Sequence, residues 1–273
     1  MVQERRPEWR VPFDLGGRNP FDLTGRHALI AGASGALGRA LALALAEAGA
    51  DVSLTTLHHD ASEEDELRAI LDECRALGRQ GTVQRIELAD PGATEAAVAT
   101  IEASTGPIAI LVNAAHHANL KPLVDTSIAE WERELRRNAT TVFVASQAVG
   151  RRMLARGYGR VINLVSILHD RGIPNGATFG ASQGAVLGFT KSAALEWVRG
   201  GVTVNAIGLG YYDGVPGPQS DEQTHAAAAR WVPLQRLGTP EDVQGVLVYL
   251  ASNESGFMNG EVLWIDGALS AHA

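Results

Sequence analysis

From residue 27 onward, short apolar runs alternate with longer stretches in which apolar positions recur every three or four residues. "HALIAG" (27–32), "DVSLTT" (51–56), "TVQRIEL" (82–88), "IAILVNAA" (108–115), "RVINLVS" (160–166), "VTVNAIG" (202–208) and "EVLWIDG" (261–267) read as strands. The stretches between them read as helices: "ALGRALALALAEAG", "EEDELRAILDECRALG", "ATEAAVATIEAST", then the long "IAEWERELRRNATTVFVASQAVGRRMLARG". A further helix lies in "SILHDRGIPNGATFGASQGAVLGFTKSAALEW" and another in "PEDVQGVLVYLAS", with a Gly- and Pro-rich loop after the sixth strand. Strands that are apolar throughout, rather than at alternate positions, are covered on both faces, which is the habit of a parallel sheet flanked by helices. The pattern predicts a single α/β domain over residues 21–273, a doubly wound Rossmann-type parallel sheet with helices on both faces. Ligands are then expected at the carboxyl ends of the strands. Residues 1–20 carry charge without an apolar core and read as an N-terminal arm rather than a secretory signal.

The chain's 273 residues suit one such domain. A formal charge of −8 argues against a nucleic-acid partner, which would call for a basic footprint. Cys74 is the only cysteine, so no disulfide can form within the chain, and a reducing compartment is expected. With no apolar run fit to span a bilayer, the expectation is a cytoplasmic protein.

The first strand runs directly into "AGASGALGRALA", with glycines at 32, 35 and 38. A strand, a glycine turn and a helix N-terminus together make an anion site, because unpaired N–H groups and the positive end of the helix face the ligand while glycine lets the backbone approach it. Gly32, Ser34, Gly35, Leu37 and Gly38 are therefore candidate cofactor-binding residues. At the end of the second strand, "SLTTLHH" offers neither an acid for a ribose 2′-hydroxyl nor an arginine for a 2′-phosphate, which leaves the choice between NAD and NADP open.

Taken together, "AGASGALG", "GPIAILVNAAH", "WERELRRNATTVF", "RVINLVS", "VTVNAIGLG", "PLQRLGTPEDVQGVLVYLAS" and "GEVLWIDGA" resemble the classical short-chain dehydrogenase/reductase family over residues 21 to 270. The resemblance implies an NAD(P) cofactor and a serine, tyrosine and lysine acting on a carbonyl/alcohol pair, with an asparagine completing a proton relay. It places the serine at Ser166, the relay asparagine at Asn138, and Asn113 in the element that the family writes Asn-Asn-Ala-Gly. The tyrosine and lysine positions fall on Phe179 and Gln183. A spacing of four puts these two on one helix face, where a lysine would lower a phenol pKa; Phe has no proton to give and Gln no charge to tune one. Lys191 sits eight residues past Gln183, about 12 Å along a helix, too far to take its place. Ala36, His116, Leu209, Gly210 and Gly214 are further departures from the family's pattern. A homo-oligomer, commonly a tetramer, is also implied.

The same resemblance sets His116 and His117 beside Ser166, with His169 and Asp170 just beyond. Histidine can act as acid or base near neutral pH, and a serine hydroxyl can polarise a carbonyl oxygen. Tyr212 could present a phenol from the loop after the sixth strand, and Phe179, Trp231 and Leu209 would make the pocket apolar. No third ligand is spaced to bind a metal with the two histidines, so no metal is expected. These residues lead to the expectation of an acid/base enzyme of dehydratase, isomerase or cyclase type on a small hydrophobic carbonyl compound, using Ser166 with a histidine. Two alternatives stand beside it. One is an NAD(P)-dependent oxidoreductase with Tyr212, His116 or water as proton donor; the other is a catalytically inactive or ligand-binding subunit.

Overall fold

The computed structural model describes residues 19–215, 217 and 222–271, so the predicted arm falls almost wholly outside the described residues. Seven strands form one parallel sheet: β1 (His27–Ala31), β2 (Asp51–Thr55), β3 (Val83–Gln84), β4 (Ile108–Asn113), β5 (Gly159–Ser166), β6 (Val202–Leu209) and β7 (Val262–Ile265). Their order is β3-β2-β1-β4-β5-β6-β7, as expected for a doubly wound sheet. The strands explain their own unbroken apolar runs. On β1, Ala28 and Ile30 enter the core on one face, while Leu29 and Ala31 enter the core on the other. Both faces are dry, and period-2 alternation is erased because both sets of side chains are buried.

The helices are α1 (Gly35–Glu47), α2 (Ala61–Ala76), α3 (Pro91–Thr105), α4 (Ile128–Leu135), α5 (Thr141–Arg156), α6 (Ala177–Trp197), α7 (Glu222–Trp231) and α8 (Gln244–Ala251). On one face Leu41 and Leu45 of α1 pack with Leu247 and Leu250 of α8; on the other, Val98 and Ile101 of α3 pack with Val149 of α5 and Ala193 of α6. Cys74 lies inside the first of these cores and burial pushes its thiol up to about 11, the state of a small packed hydrophobe.

Three elements differ from the expectation. β3 keeps only two residues, because the Thr56 side chain continues the ladder: its Oγ1 accepts from the Ile86 N–H and donates to the Ile86 carbonyl, both at 2.9 Å. The long helix predicted over 128–157 is interrupted at Arg136–Thr140 by a turn of π-helix, which re-aims the side chains that follow. Part of the predicted Gly/Pro loop is α7, whose alanine run favours a helix. Among the described residues no helix is long and apolar enough to cross a membrane.

The strand order reverses between β1 and β4, since β1 leads outward to β2 and β3 while β4 leads the other way. In an open parallel sheet the loops leaving these two strands diverge and open a crevice at their carboxyl ends.

Candidate active site at the β1 and β4 carboxyl ends

The crevice is built first by backbone. Gly32 and Gly35 have φ of +75° and +84°, the left-handed region where a side chain is strained. Gly38 is required for a different reason: a Cβ there would lie 1.8 Å from the Ala33 carbonyl oxygen, so only glycine lets α1 pack this close to β1. Ser34 is the N-cap residue of α1 and its hydroxyl makes no capping bond, leaving the first-turn N–H groups to other acceptors. One of them is already taken by a carboxylate, with the Gly35 N–H donating to Glu66 Oε1 at 2.9 Å. A cavity of about 310 Å³ opens here, with Gly32, Ser34, Gly35, Leu37 and Gly38 on one wall and Ala114, His116 and Gly214 on the other.

These features fit a dinucleotide pyrophosphate. The α1 N-terminus already holds an anionic oxygen, and a Cβ placed on Gly35 would meet nothing within 4 Å. Five of the six predicted cofactor residues meet at this cavity. The sixth, Asn113, does not: it is buried, and its Nδ2 donates to Ser146 Oγ (3.0 Å) and Asn163 Oδ1 (2.7 Å). It ties β4 to β5 and α5 and sits behind the cavity wall.

The two histidines after β4 part company. His116 lines the cavity and meets Phe179 edge-on, with ring centroids 5.2 Å apart. His117 turns away into a polar knot with the π-turn and α4. Its Nε2 accepts from Arg137 Nη1 at 2.7 Å, since a guanidinium can only donate, so its proton is on Nδ1 and goes to Glu134 Oε2, also at 2.7 Å. Glu134 is only 1% exposed, and its Oε1 accepts from the Asn119 N–H and from Asn138 Nδ2. Asn138, placed inward by the π-turn, clamps the His117 backbone. Its Oδ1 accepts from the His117 N–H and its Nδ2 donates to the His117 carbonyl, both at 2.9 Å. His117 and Asn138 thus hold the loop that presents His116. Sequence reasoning missed Glu134 and Ser182; the only signal for Glu134 was its spacing of four from Asn138 on one helix face, and Ser182 had none.

Ser166 ends β5, buried beside the first turns of α6. Its N–H donates to Gln183 Oε1 at 2.9 Å, and its Oγ accepts from the Leu168 N–H at 3.3 Å, keeping its own proton to give. Gln183 therefore anchors the serine's backbone, while Phe179, 1% exposed, packs with Ile167, Leu168 and Leu269. Ser182 links the two halves of the site, donating to the Phe179 carbonyl and accepting from Asn138 Nδ2.

Two expectations need correcting. Tyr212 is 1% exposed and donates its phenol proton to the Ile265 carbonyl at 2.6 Å; burial also drives its pKa upward, so it belongs to the framework beside Gly238. Trp231 is 73% exposed and lines no apolar pocket at the serine. His169, just beyond the serine, is held by that residue's backbone. Its Nδ1 donates to the Ser166 carbonyl at 3.0 Å, and its ring stacks on Trp264. Among the described residues no three His, Cys, Asp or Glu side chains gather as metal ligands.

Comparison with known proteins covers nearly the whole of this architecture. A family model described as enoyl-(acyl carrier protein) reductase matches residues 32–270. Gluconate 5-dehydrogenase of Gluconobacter oxydans (strain 621H) is 33% identical over 249 residues, covering 90% of this chain and 95% of that protein. The 3-oxoacyl-[acyl-carrier-protein] reductase FabG of Vibrio cholerae is 35% identical over 246 residues, covering 90% and 97%. The crystal structure of a gluconate 5-dehydrogenase from Burkholderia cenocepacia J2315 in complex with NADP and tartrate aligns with a TM-score of 0.86 at 32% identity, covering 93% of this chain and 98% of that one. Relatives named as dehydrogenases and reductases, alike along their full length, overturn the expectation of a dehydratase, isomerase or cyclase. They overturn that of an inactive subunit as well. Two changed positions on α6 are outweighed by a framework that the chain keeps from the glycine turn to β7.

Proposed function

The chain belongs to the short-chain dehydrogenase/reductase family, and from that premise we propose that it is an NAD(P)-dependent oxidoreductase interconverting an alcohol and a carbonyl on a small molecule. The observation that carries the reading is the crevice between β1 and β4, where the glycine turn and His116 face each other across one cavity. Gly32, Gly35 and the α1 N-terminus would hold the pyrophosphate, with Ser34 and Leu37 beside it. When bound, the nicotinamide gives or takes the hydride.

The chain's own residues then have three tasks. Ser166 Oγ donates a hydrogen bond to the substrate oxygen, stabilising the charge that develops there. His116 gives the balancing proton in reduction and takes it in oxidation, a role open to an imidazole near neutral pH. Phe179, packed against the His116 ring edge, keeps water from that side and strengthens both polar contacts. Asn138, Glu134 and His117 position the loop that carries His116.

The test is titration of the purified protein with NADH and NADPH by nicotinamide fluorescence. Turnover of sugar acids, polyols and 3-oxoacyl thioesters is then followed by nicotinamide absorbance. Saturable binding with turnover of any of these substrates is expected. No binding of either nucleotide, or binding without turnover of any alcohol or carbonyl tried, counts against the reading.

A further inference from the structure

The end of β2 lacks an acid in the sequence, yet the fold delivers one. Glu63, from the first turn of α2, reaches back so that its Oε2 accepts from the Leu57 N–H at 2.9 Å and the His58 N–H at 3.2 Å. Its carboxylate is thereby pinned to the carboxyl end of β2 and lines the crevice. Glu66, one turn later on the same helix face, reaches the Gly35 N–H and lines the same cavity. The positive side chains around them are engaged elsewhere. Arg39 is bound to Glu73, Arg68 and Arg85 to Glu64, and His58 faces Glu87 at 3.5 Å. The crevice wall thus carries two carboxylates and, among the described residues, no arginine or lysine.

With a pyrophosphate on the α1 N-terminus, the adenosine ribose would fall toward the end of β2, where a carboxylate can accept hydrogen bonds from a ribose 2′-hydroxyl. A 2′-phosphate in that place would bring its negative charge against the half-buried Glu63 carboxylate, a like charge at close range. We propose that Glu63 makes this crevice select NAD(H) over NADP(H). The inference rests on the oxidoreductase reading, and it runs against likeness alone, since the gluconate 5-dehydrogenase structure from Burkholderia cenocepacia holds NADP. Glu66 has a separate effect: it must release the Gly35 N–H to either pyrophosphate, so it weakens both nucleotides alike.

The experiment is parallel fluorescence titration of the full-length protein and of its Glu63→Gln and Glu66→Gln variants with NADH and NADPH. Thermal melts check that the variants are folded. The wild type is expected to bind NADH at least about tenfold more tightly than NADPH. Glu63→Gln narrows that ratio by strengthening NADPH, whereas Glu66→Gln tightens both and leaves the ratio unchanged. Equal or tighter NADPH binding by the wild type overturns the proposal, as does an unchanged ratio in a folded Glu63→Gln protein. If that variant does not fold, the wild-type ratio alone decides. Binding of neither nucleotide removes the oxidoreductase reading and this inference with it; binding of both with the wrong ratio removes only this inference.

Discussion

Two single residues make the reading measurable, Ser166 through the proposed chemistry and His27 through stability. In the proposed reaction Ser166 Oγ would donate to a developing negative oxygen, and loss of one such donor costs on the order of a hundredfold in kcat. Ser166→Ala should therefore lower kcat by about that factor with little change in nucleotide affinity, read by steady-state kinetics beside nucleotide titration. Unaltered kcat would assign the serine to β5 packing alone. A second residue links structure to pH. His27 on β1 is buried, its Nδ1 donating to the Gly106 carbonyl at 2.7 Å and its Nε2 accepting from Ser53 Oγ at 2.9 Å. Desolvation holds its pKa below the ordinary imidazole value, ahead of the opposing pull of the Gly106 carbonyl. The unfolded chain then binds the proton more readily, so the contribution to stability is full above about pH 6.5 and is lost as pH falls from there toward the lower folded value. Thermal melts between about pH 7.5 and 5 should show that slope in the wild type and a shallower one in His27→Gln. Equal slopes would mean that other groups carry the acid sensitivity.

At the scale of elements, the break at Arg136–Thr140 matters more than the helices it separates. The π-turn brings Asn138 inward, and Glu134, one turn earlier, holds His117 and Asn119 from the same side. A buried carboxylate with all its partners in place leaves stranded donors when it is removed, so Glu134→Ala should cost about 3 kcal/mol in denaturant unfolding. Because the loop presenting His116 loses its anchor, kcat/KM should fall as well, without His116 itself being touched. Full stability in this variant would show the knot to be dispensable. The strands were legible in the chain because their burial on both faces leaves a continuous apolar run. The interruption in the long helix was not, since the stretches on either side of a single π-turn both keep helical periodicity and no residue type marks the turn between them. Helix α7 was hidden for another reason: the glycines and prolines before it read as loop, although its alanine run favours a helix.

For the whole molecule, α5 and α6 leave apolar groups in the open. Phe143 and Leu195 are exposed, and Phe143, Phe189 and Trp197 border a groove of about 370 Å³. We propose that this face meets a second copy of the chain, as the family resemblance implies, and that the protein is a homotetramer. Light scattering during size-exclusion chromatography should give four times the chain mass, and Phe143→Glu should lower it. A monomeric wild type would refute the assembly.

What the sequence determined by itself was the class of fold, the glycine turn that opens α1, and the identity of Ser166, Phe179 and Gln183 at their spacings. Apolar periodicity, backbone freedom at glycine and fixed helical spacing are local properties, written wherever the chain passes. The tertiary structure alone decided which of two adjacent histidines faces the crevice and that Asn113 and Tyr212 serve the framework. It also decided that a carboxylate missing from the end of β2 arrives there from α2. Each of these depends on groups distant along the chain meeting at the carboxyl edge of the sheet. There, a hydrogen-bond partner from another element, rather than the residue's own neighbours, fixes where a side chain points.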